Sequence, residues 1–113
     1  LPHVKDGRLR ALGVTSAKRT PLAPDLPPIS EVLPGYESTT WFGLFGPRGL
    51  SADVVGRVNT AANQVLQDPE VIDKLTRLGI EPVGGTPAQF GTLLAVELAK
   101  WKKIIQERQI TLE

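Results

Sequence analysis

The stretch from Tyr36 to Val55, read YESTTWFGLFGPRGLSADVV, constrains the fold of this 113-residue chain more than any other. Its first part, Glu37–Phe45, is rich in β-branched, aromatic and apolar residues, which favour a strand covered on both faces. Three evenly spaced glycines follow, and Ser51 then provides the N-cap of a helix. Strand, glycine loop and capped helix in direct succession predict an α/β domain.

Further strands are predicted on either side of this unit. A mostly apolar run of strand length covers Arg8–Thr15, after a helix end at Leu1–Lys5 that Gly7 would cap. Two shorter extended segments are expected at Ile80–Val83 and Ile110–Leu112. We therefore expect two main strands, of which Glu37–Phe45 is the second.

Three helices are predicted from apolar periodicity and from their end signals. The first runs from the cap Ser51 to about Gln67, and the second follows Asp68-Pro69 and stops at Gly79. The third opens with Thr86-Pro87-Ala88-Gln89, a capping box with proline just inside the helix, and reaches about Gln109. On this last helix we expect the charged residues, Glu97 among them, to form a solvated face.

The segment Ser16–Gly35 is predicted to be a stiff connector because five prolines fix φ and remove hydrogen-bond donors. One helical turn at Ile29–Leu33, weakly capped by Ser30, is the only regular structure expected there. Lys18 and Arg19 within it form either an anion site or a solvated turn.

Two other features have a functional and a structural interpretation. The only histidine, His3, is either a ligand or proton carrier or a polar residue at a helix end; it has no second histidine, cysteine or nearby carboxylate pair to work with. The glycines at 43, 46 and 49 make either an anion site before a helix N-terminus or a plain turn. Their spacing is not the dinucleotide fingerprint, and Pro47 removes one donor.

Composition excludes several classes of function. The net charge of +1 gives no sign of a nucleic-acid reader, and the absence of cysteine excludes disulfides, thiolate metal sites and cysteine nucleophiles. No apolar run is long enough to span a membrane, and no signal-peptide pattern opens the chain. Without methionine and without a leader, the chain is expected to be a processed product or a piece of something longer.

A compound series of motifs runs in order over essentially the whole chain: Leu1–Ser16, Leu33–Tyr36 (LPGY), Thr39–Gly49 (TTWFGLFGPRG), Val54–Asn59 (VVGRVN), Asp68–Val71 (DPEV), Gly79–Phe90 (GIEPVGGTPAQF) and Lys100–Lys103 (KWKK). This series resembles the substrate-binding proteins of tripartite tricarboxylate transporters, the Bug or TctC family. Small departures from the family pattern are Gly46, Val58 and Gln89, where alanine, leucine and glutamate are usual.

The resemblance implies a fold and a division of the chain. Proteins of this family are about three times as long and have two α/β lobes hinged around a ligand, a periplasmic-binding-protein-like (type II) fold. This chain would be the C-terminal portion of such a fold, with two main strands and three helices. Residues 1–16 would end the second lobe, residues 17–35 would form the inter-lobe connector, and residues 36–113 would supply the closing strand and helices of the first lobe.

The resemblance also implies a function: export to the periplasm or cell surface, binding of a small carboxylic acid, and delivery to membrane transporter subunits, without catalysis, cofactor or metal. The ligand-contacting candidates are Tyr36, Thr39, Thr40 and Trp41, whose hydroxyls and indole suit a carboxylate; core and hinge packing is the alternative role. The isolated chain is expected not to bind the acid, since the clamping loops lie upstream.

Two alternative functions remain open at this stage. Unpaired strand edges would favour a homo-oligomer or a swapped dimer. The chain could accordingly be a self-associating α/β interaction domain with no small-molecule ligand.

Overall fold

The computed structural model describes residues 2–111 and is helical. The described residues fall into two compact units, one comprising 2–42 with 69–82 and the other 43–68 with 83–111. The elements in chain order are α1 (Pro2–Lys5), a 3₁₀ turn (Ile29–Glu31), α2 (Ala52–Val65), α3 (Pro69–Arg77) and α4 (Pro87–Arg108).

The helices begin and end close to where the local signals predict. The Ser51 hydroxyl accepts a hydrogen bond from the Val54 N–H at 3.4 Å, which makes it the N-cap of α2. α3 begins at a proline, and Gly79 beyond its end has a φ of +77°, a conformation that glycine adopts without strain. α1 likewise ends before Gly7, whose φ is +71°.

The start of α4 is a complete capping box. The Thr86 hydroxyl accepts from the Gln89 N–H at 3.2 Å, and the Gln89 side-chain carbonyl accepts from the Thr86 N–H at 2.8 Å. Two N–H groups that the helix itself cannot satisfy are therefore satisfied reciprocally. The predicted capping box is confirmed.

The proline-rich connector is held by side chains rather than by regular structure. Arg19 donates to a Glu31 carboxylate oxygen at 3.2 Å and to the Pro24 carbonyl at 3.3 Å, and the Ser30 hydroxyl donates to the Ala17 carbonyl at 3.2 Å. The predicted helical turn is present as the 3₁₀ turn, but the prediction of Ser30 as its cap is wrong. Pro28 occupies the cap position and makes no side-chain hydrogen bond there.

The loop between α3 and α4 is fastened to α2 by two asparagines. The side-chain amides of Asn59 and Asn63 both donate to the Gly85 carbonyl at 2.9 Å, and the Gly85 N–H donates back to Asn63 Oδ1 at 2.8 Å. A Cβ at the preceding residue, Gly84, would lie 2.5 Å from the same Oδ1, and φ there is +66°. Glycine is therefore required at that position. The hydrogen bonds from Asn59 and Asn63 to Gly85 fix where α4 begins relative to α2.

The predicted fold class is wrong: within residues 2–111 there is no sheet, so the chain is not an α/β fragment with two main strands. Arg8–Thr15 contributes one isolated parallel bridge, between Val14 and Pro28, and Glu37–Phe45 has no regular structure. The short strand predicted at Ile80–Val83 is also absent, and the one at Ile110–Leu112 ends outside the described residues.

The physical reason lies in what a strand requires. Side-chain composition supplies only a preference for extended backbone, whereas a strand also needs a neighbour that accepts and donates its backbone hydrogen bonds. At the bridge, the Val14 N–H donates to the Pro27 carbonyl and the Val14 carbonyl accepts from the Ile29 N–H, both at 2.9 Å. Pro27 has no N–H with which to continue the ladder toward Leu12. Beyond the bridge, the Ser38 N–H donating to the Thr15 carbonyl at 2.9 Å is a single bond and does not start a ladder.

Apolar side chains remain largely accessible in both units. Among the residues whose burial is described, no aliphatic or aromatic side chain is buried. Glu97 and Pro28 are the buried residues of this set.

Candidate functional site

The four predicted ligand-contacting residues lie together in the unit formed by residues 2–42 and 69–82. They follow the turn at Gly35, where φ is +83° and the Tyr36 N–H donates to the Leu33 carbonyl at 3.1 Å. The hydrogen bond from Ser38 to Thr15 then holds the segment that carries Thr39, Thr40 and Trp41. The structure thus presents the four as one irregular stretch rather than as part of a strand.

Three of the four side chains are available to a ligand. Tyr36, Thr39 and Thr40 are exposed, and their hydroxyls have no hydrogen-bond partner among residues 2–111. Trp41 is different: it is half-buried and already interacts within the chain. The hydroxyls could donate to a carboxylate, while the indole is better suited to holding the segment in place.

The charges close to these residues in the sequence do not make a carboxylate clamp. Glu37 stands between Tyr36 and the threonines, and an ionised carboxylate repels an anionic ligand. The Arg19 guanidinium in the connector already donates hydrogen bonds to Glu31 and to the Pro24 carbonyl, so its role is to hold the connector. For Arg19 this favours the solvated-turn interpretation over an anion site.

Two open hollows lie elsewhere on the chain. One, of about 320 Å³, is lined by apolar residues of the first unit: Leu12, Gly13, Pro27, Pro28, Ile29, Val32 and Leu33. A larger one of about 860 Å³ is lined by α2 alone, from Asp53 to Gln64, and a single helix cannot enclose a ligand. None of the four candidate residues lines either hollow.

The glycine loop before α2 serves packing. A Cβ on Gly43 would lie 2.1 Å from the ring of Phe90, and a Cβ on Gly46 would lie 2.3 Å from a Leu50 methyl group. Phe45 packs on the same Phe90 ring, with centroids 5.0 Å apart and planes inclined at 57°. Glycines at 43 and 46 are thus required for close approach, which favours the plain-turn interpretation over anion binding.

A polar cluster on α4 was not expected from the sequence. Glu97 is buried, at 8% exposure, and accepts from the Trp101 indole N–H at 2.9 Å and from the Lys100 ammonium. The Lys100 ammonium also lies 5.3 Å from the centre of the Trp101 ring. The expectation of a solvated Glu97 is wrong; the signal that could have found the cluster is its spacing of three and four residues on one helix.

The described residues contain neither a metal site nor a membrane span. No group of three or more histidine, aspartate or glutamate side chains within residues 2–111 is placed to hold a metal ion. Over the same residues, none of the helices combines the length and apolar character that crossing a bilayer requires.

Comparison with known proteins places the chain in a family. Residues 1–110 match the model of the tripartite tricarboxylate transporter family receptor. The match covers nearly the whole chain, and the chain belongs to that family.

Individual relatives agree with this placement. A UPF0065 protein in the tcbD-tcbE intergenic region of Pseudomonas sp. is 42% identical over 105 residues, covering 91% of this chain and 31% of the relative. A UPF0065 protein in the clcB-clcD intergenic region of Pseudomonas knackmussii is 40% identical over 109 residues, covering 95% of this chain and 64% of the relative. Protein BugT of Bordetella pertussis is 30% identical over 108 residues, covering 95% of this chain and 33% of the relative. The chain therefore spans between about a third and two thirds of the length of these relatives.

Proposed function

We propose that this chain is part of an exported receptor, at the periplasm or cell surface, that binds a small carboxylated solute. The receptor passes the solute to the membrane subunits of a tripartite tricarboxylate-type transporter and catalyses no reaction. The observation that carries the proposal is the family match over residues 1–110, whose description is that of a transporter receptor.

Within such a receptor we assign the chain to two lobes and a crossing. Residues 1–16 end one lobe, residues 17–35 form the connector and residues 36–113 belong to the other lobe. The side-chain ties of Arg19 and Ser30 support a connector of fixed path.

We further propose that Tyr36, Thr39, Thr40 and Trp41 face the solute in the receptor. The hydroxyls of the first three are unpartnered within residues 2–111, and this supports the role because a carboxylate oxygen accepts hydrogen bonds from such groups. No strong cationic partner stands beside them in the sequence, so they would contribute a part of the binding energy and not all of it.

The experiment is a variant series in a hybrid protein. Residues 1–110 replace the matching segment of the Pseudomonas sp. relative, and a panel of mono-, di- and tricarboxylic acids is titrated by calorimetry. For the acid that binds, Thr40→Ala is expected to weaken binding about 10-fold, the loss of one hydrogen bond to a charged group. Thr60→Ala on the exposed face of α2 is the matched control and should leave the affinity unchanged.

A Thr40→Ala variant that binds as tightly as its parent would remove Thr40 from the site. If Tyr36→Phe and Thr39→Ala are equally silent, the four residues have the alternative role in packing.

A second candidate function is self-association without a solute. The exposure of Leu9 and Leu12, at 61% and 79%, favours it, since uncovered aliphatic side chains are a common basis of association. Light scattering over a concentration series tests this candidate. A molar mass that stays at the 12.2 kDa of one chain would exclude it.

A further inference from the structure

Glu37 is the one charged residue in a stretch of sequence that is otherwise neutral, residues 32–47. It is exposed, and its carboxylate makes no ion pair or hydrogen bond with any of residues 2–111. The preceding carboxylate in the sequence, Glu31, is by contrast paired with Arg19 at 3.2 Å. The negative charge of Glu37 is therefore not offset by an ion pair in the part of the chain that the structure describes.

Hydroxyl groups flank this charge on both sides. Tyr36 precedes Glu37, and Thr39 and Thr40 follow it; all three are exposed, with hydroxyls unpartnered within residues 2–111. Two residues of fully extended chain span about 7 Å, so the backbones of Glu37 and Thr39 lie within the length of a small organic acid. A small acid held by these hydroxyls is consequently within reach of the Glu37 carboxylate.

This proximity makes the number of charges on a solute important. A hydroxyl donates to the carboxylate of a monoanion and to that of a dianion alike, so hydroxyls alone distinguish the two poorly. A neighbouring carboxylate does distinguish them, because each further negative charge on the solute adds a repulsion from Glu37.

The same carboxylate also favours a particular group on the solute. An ionised carboxylate only accepts hydrogen bonds, and its bonds to charged donors are the stronger ones. An ammonium or hydroxyl group close to the carboxylate of the solute would satisfy Glu37, whereas a second carboxylate would not.

We propose that Glu37 determines which carboxylic acids the receptor accepts. The solute is an acid with a single carboxylate and, on a nearby carbon, a hydrogen-bond donor that is an ammonium or a hydroxyl group. The hydroxyls of Tyr36, Thr39 and Thr40 donate to its carboxylate, and Glu37 accepts from the donor. The inference rests on the proposed function and names the class of solute within it.

The test uses the hybrid receptor in which residues 1–110 replace the matching segment of the Pseudomonas sp. relative. Unbranched acids of three, four and five carbons are titrated by calorimetry in four forms. These are the plain monocarboxylate, its 2-hydroxy derivative, its 2-amino derivative and the dicarboxylate of the same chain length. Charge and donor thus change while chain length is held constant, and we expect the hydroxy or amino form to bind most tightly.

Glu37→Gln removes the charge with little change in size. We expect it to raise the affinity for the dicarboxylate relative to the plain monocarboxylate about 10-fold, since it removes a repulsion between like charges about 7 Å apart. Salt at about 0.5 M should reduce this change by screening the charges. The preference for the 2-amino acid should fall by a similar factor. A 2-hydroxy acid should lose less, because the glutamine side-chain oxygen still accepts its hydrogen bond.

The matched control is Glu107→Gln, which removes the same charge from an exposed carboxylate of α4 outside this segment and should leave every ratio unchanged. Ratios that are the same in Glu37→Gln and in the parent hybrid overturn the proposal, as does a parent hybrid that prefers the dicarboxylates. A uniform loss of affinity for all four forms also overturns it, because Glu37 would then support the segment without selecting the solute.

Failure of the proposed function would look different. A parent hybrid that binds no acid of this series or of the earlier panel contradicts solute binding itself, and the role of Glu37 falls with it. A hybrid that binds acids with ratios indifferent to Glu37→Gln leaves the proposed function standing and removes only the role of Glu37.

Discussion

At the scale of single residues, the Asn63 side chain does most to hold the loop before α4. It pairs with both backbone groups of Gly85, whereas Asn59 reaches only the carbonyl. A side-chain amide that satisfies both an N–H and a C=O of one residue substitutes for a backbone partner. The loop depends on this pairing because the described residues contain no strand to hold it.

Replacing Asn63 by alanine should therefore release the Gly85 amide. We expect hydrogen exchange at this amide to accelerate about 10-fold, the equivalent of one hydrogen bond, as followed by NMR. Asn59→Ala is the control, and its effect should be smaller because the Gly85 N–H keeps its acceptor. Equal exchange rates in the Asn63 variant and the parent would show that the Asn63 side chain does not protect the Gly85 amide.

A second residue-scale prediction concerns Trp101. In a Trp41→Phe background Trp101 is the only tryptophan, since the chain has two. Glu97→Ala removes the acceptor of the Trp101 indole N–H, which then donates to water instead. The fluorescence emission of Trp101 should therefore move to longer wavelength. Glu107→Ala, which removes an exposed partner of Lys103 at 3.8 Å, should leave the spectrum unchanged. An unaltered spectrum in the Glu97 variant would show that the Trp101 indole does not donate to Glu97.

At the scale of elements, the capping box determines how firmly α4 begins. Thr86→Ala removes one of the two reciprocal hydrogen bonds and should destabilise the helix by about 1 kcal/mol. Far-ultraviolet circular dichroism during thermal unfolding measures this loss. Thr92→Ala is the matched control: it removes only a bond from the hydroxyl to the Ala88 carbonyl, and alanine favours a helix, so helicity should hold or rise. Equal loss in both variants would contradict the role given to Thr86.

The elements that could be predicted are those whose signals are local. Ser51, Pro69 and the Thr86–Gln89 box mark helix starts through contacts within one turn, and sequence spacing alone reveals them. The strand predicted at Glu37–Phe45 depended on partners that spacing does not supply. The burial of Glu97 was missed for a related reason. A charged side chain is expected to be exposed to solvent, and only the positions of its partners Lys100 and Trp101 show that it is buried.

The candidate site was predictable to a similar extent. Tyr36, Thr39 and Thr40 were chosen because hydroxyls suit a carboxylate, and those hydroxyls have no partner in the part of the chain that the structure describes. Which groups stand opposite them depends on packing that residue types do not encode. The ligand role of these residues stays a prediction.

At the scale of the whole molecule, the share of each relative that the chain covers determines what these residues can do alone. The chain belongs to this receptor family, and it spans between about a third and two thirds of the length of the relatives compared with it. A cleft that buries most of a small acid needs walls on more than one side. Solute binding is accordingly expected of the assembled receptor and not of these residues by themselves.

Whether solute binding requires the assembled receptor is tested by a pair of calorimetric titrations with the same panel of carboxylic acids. One uses the 113-residue chain and the other uses the hybrid with the Pseudomonas sp. relative. We expect saturable binding of an acid to the hybrid and no saturable heat with the chain alone. Tight, saturable binding of the same acid to the 113-residue chain would contradict it.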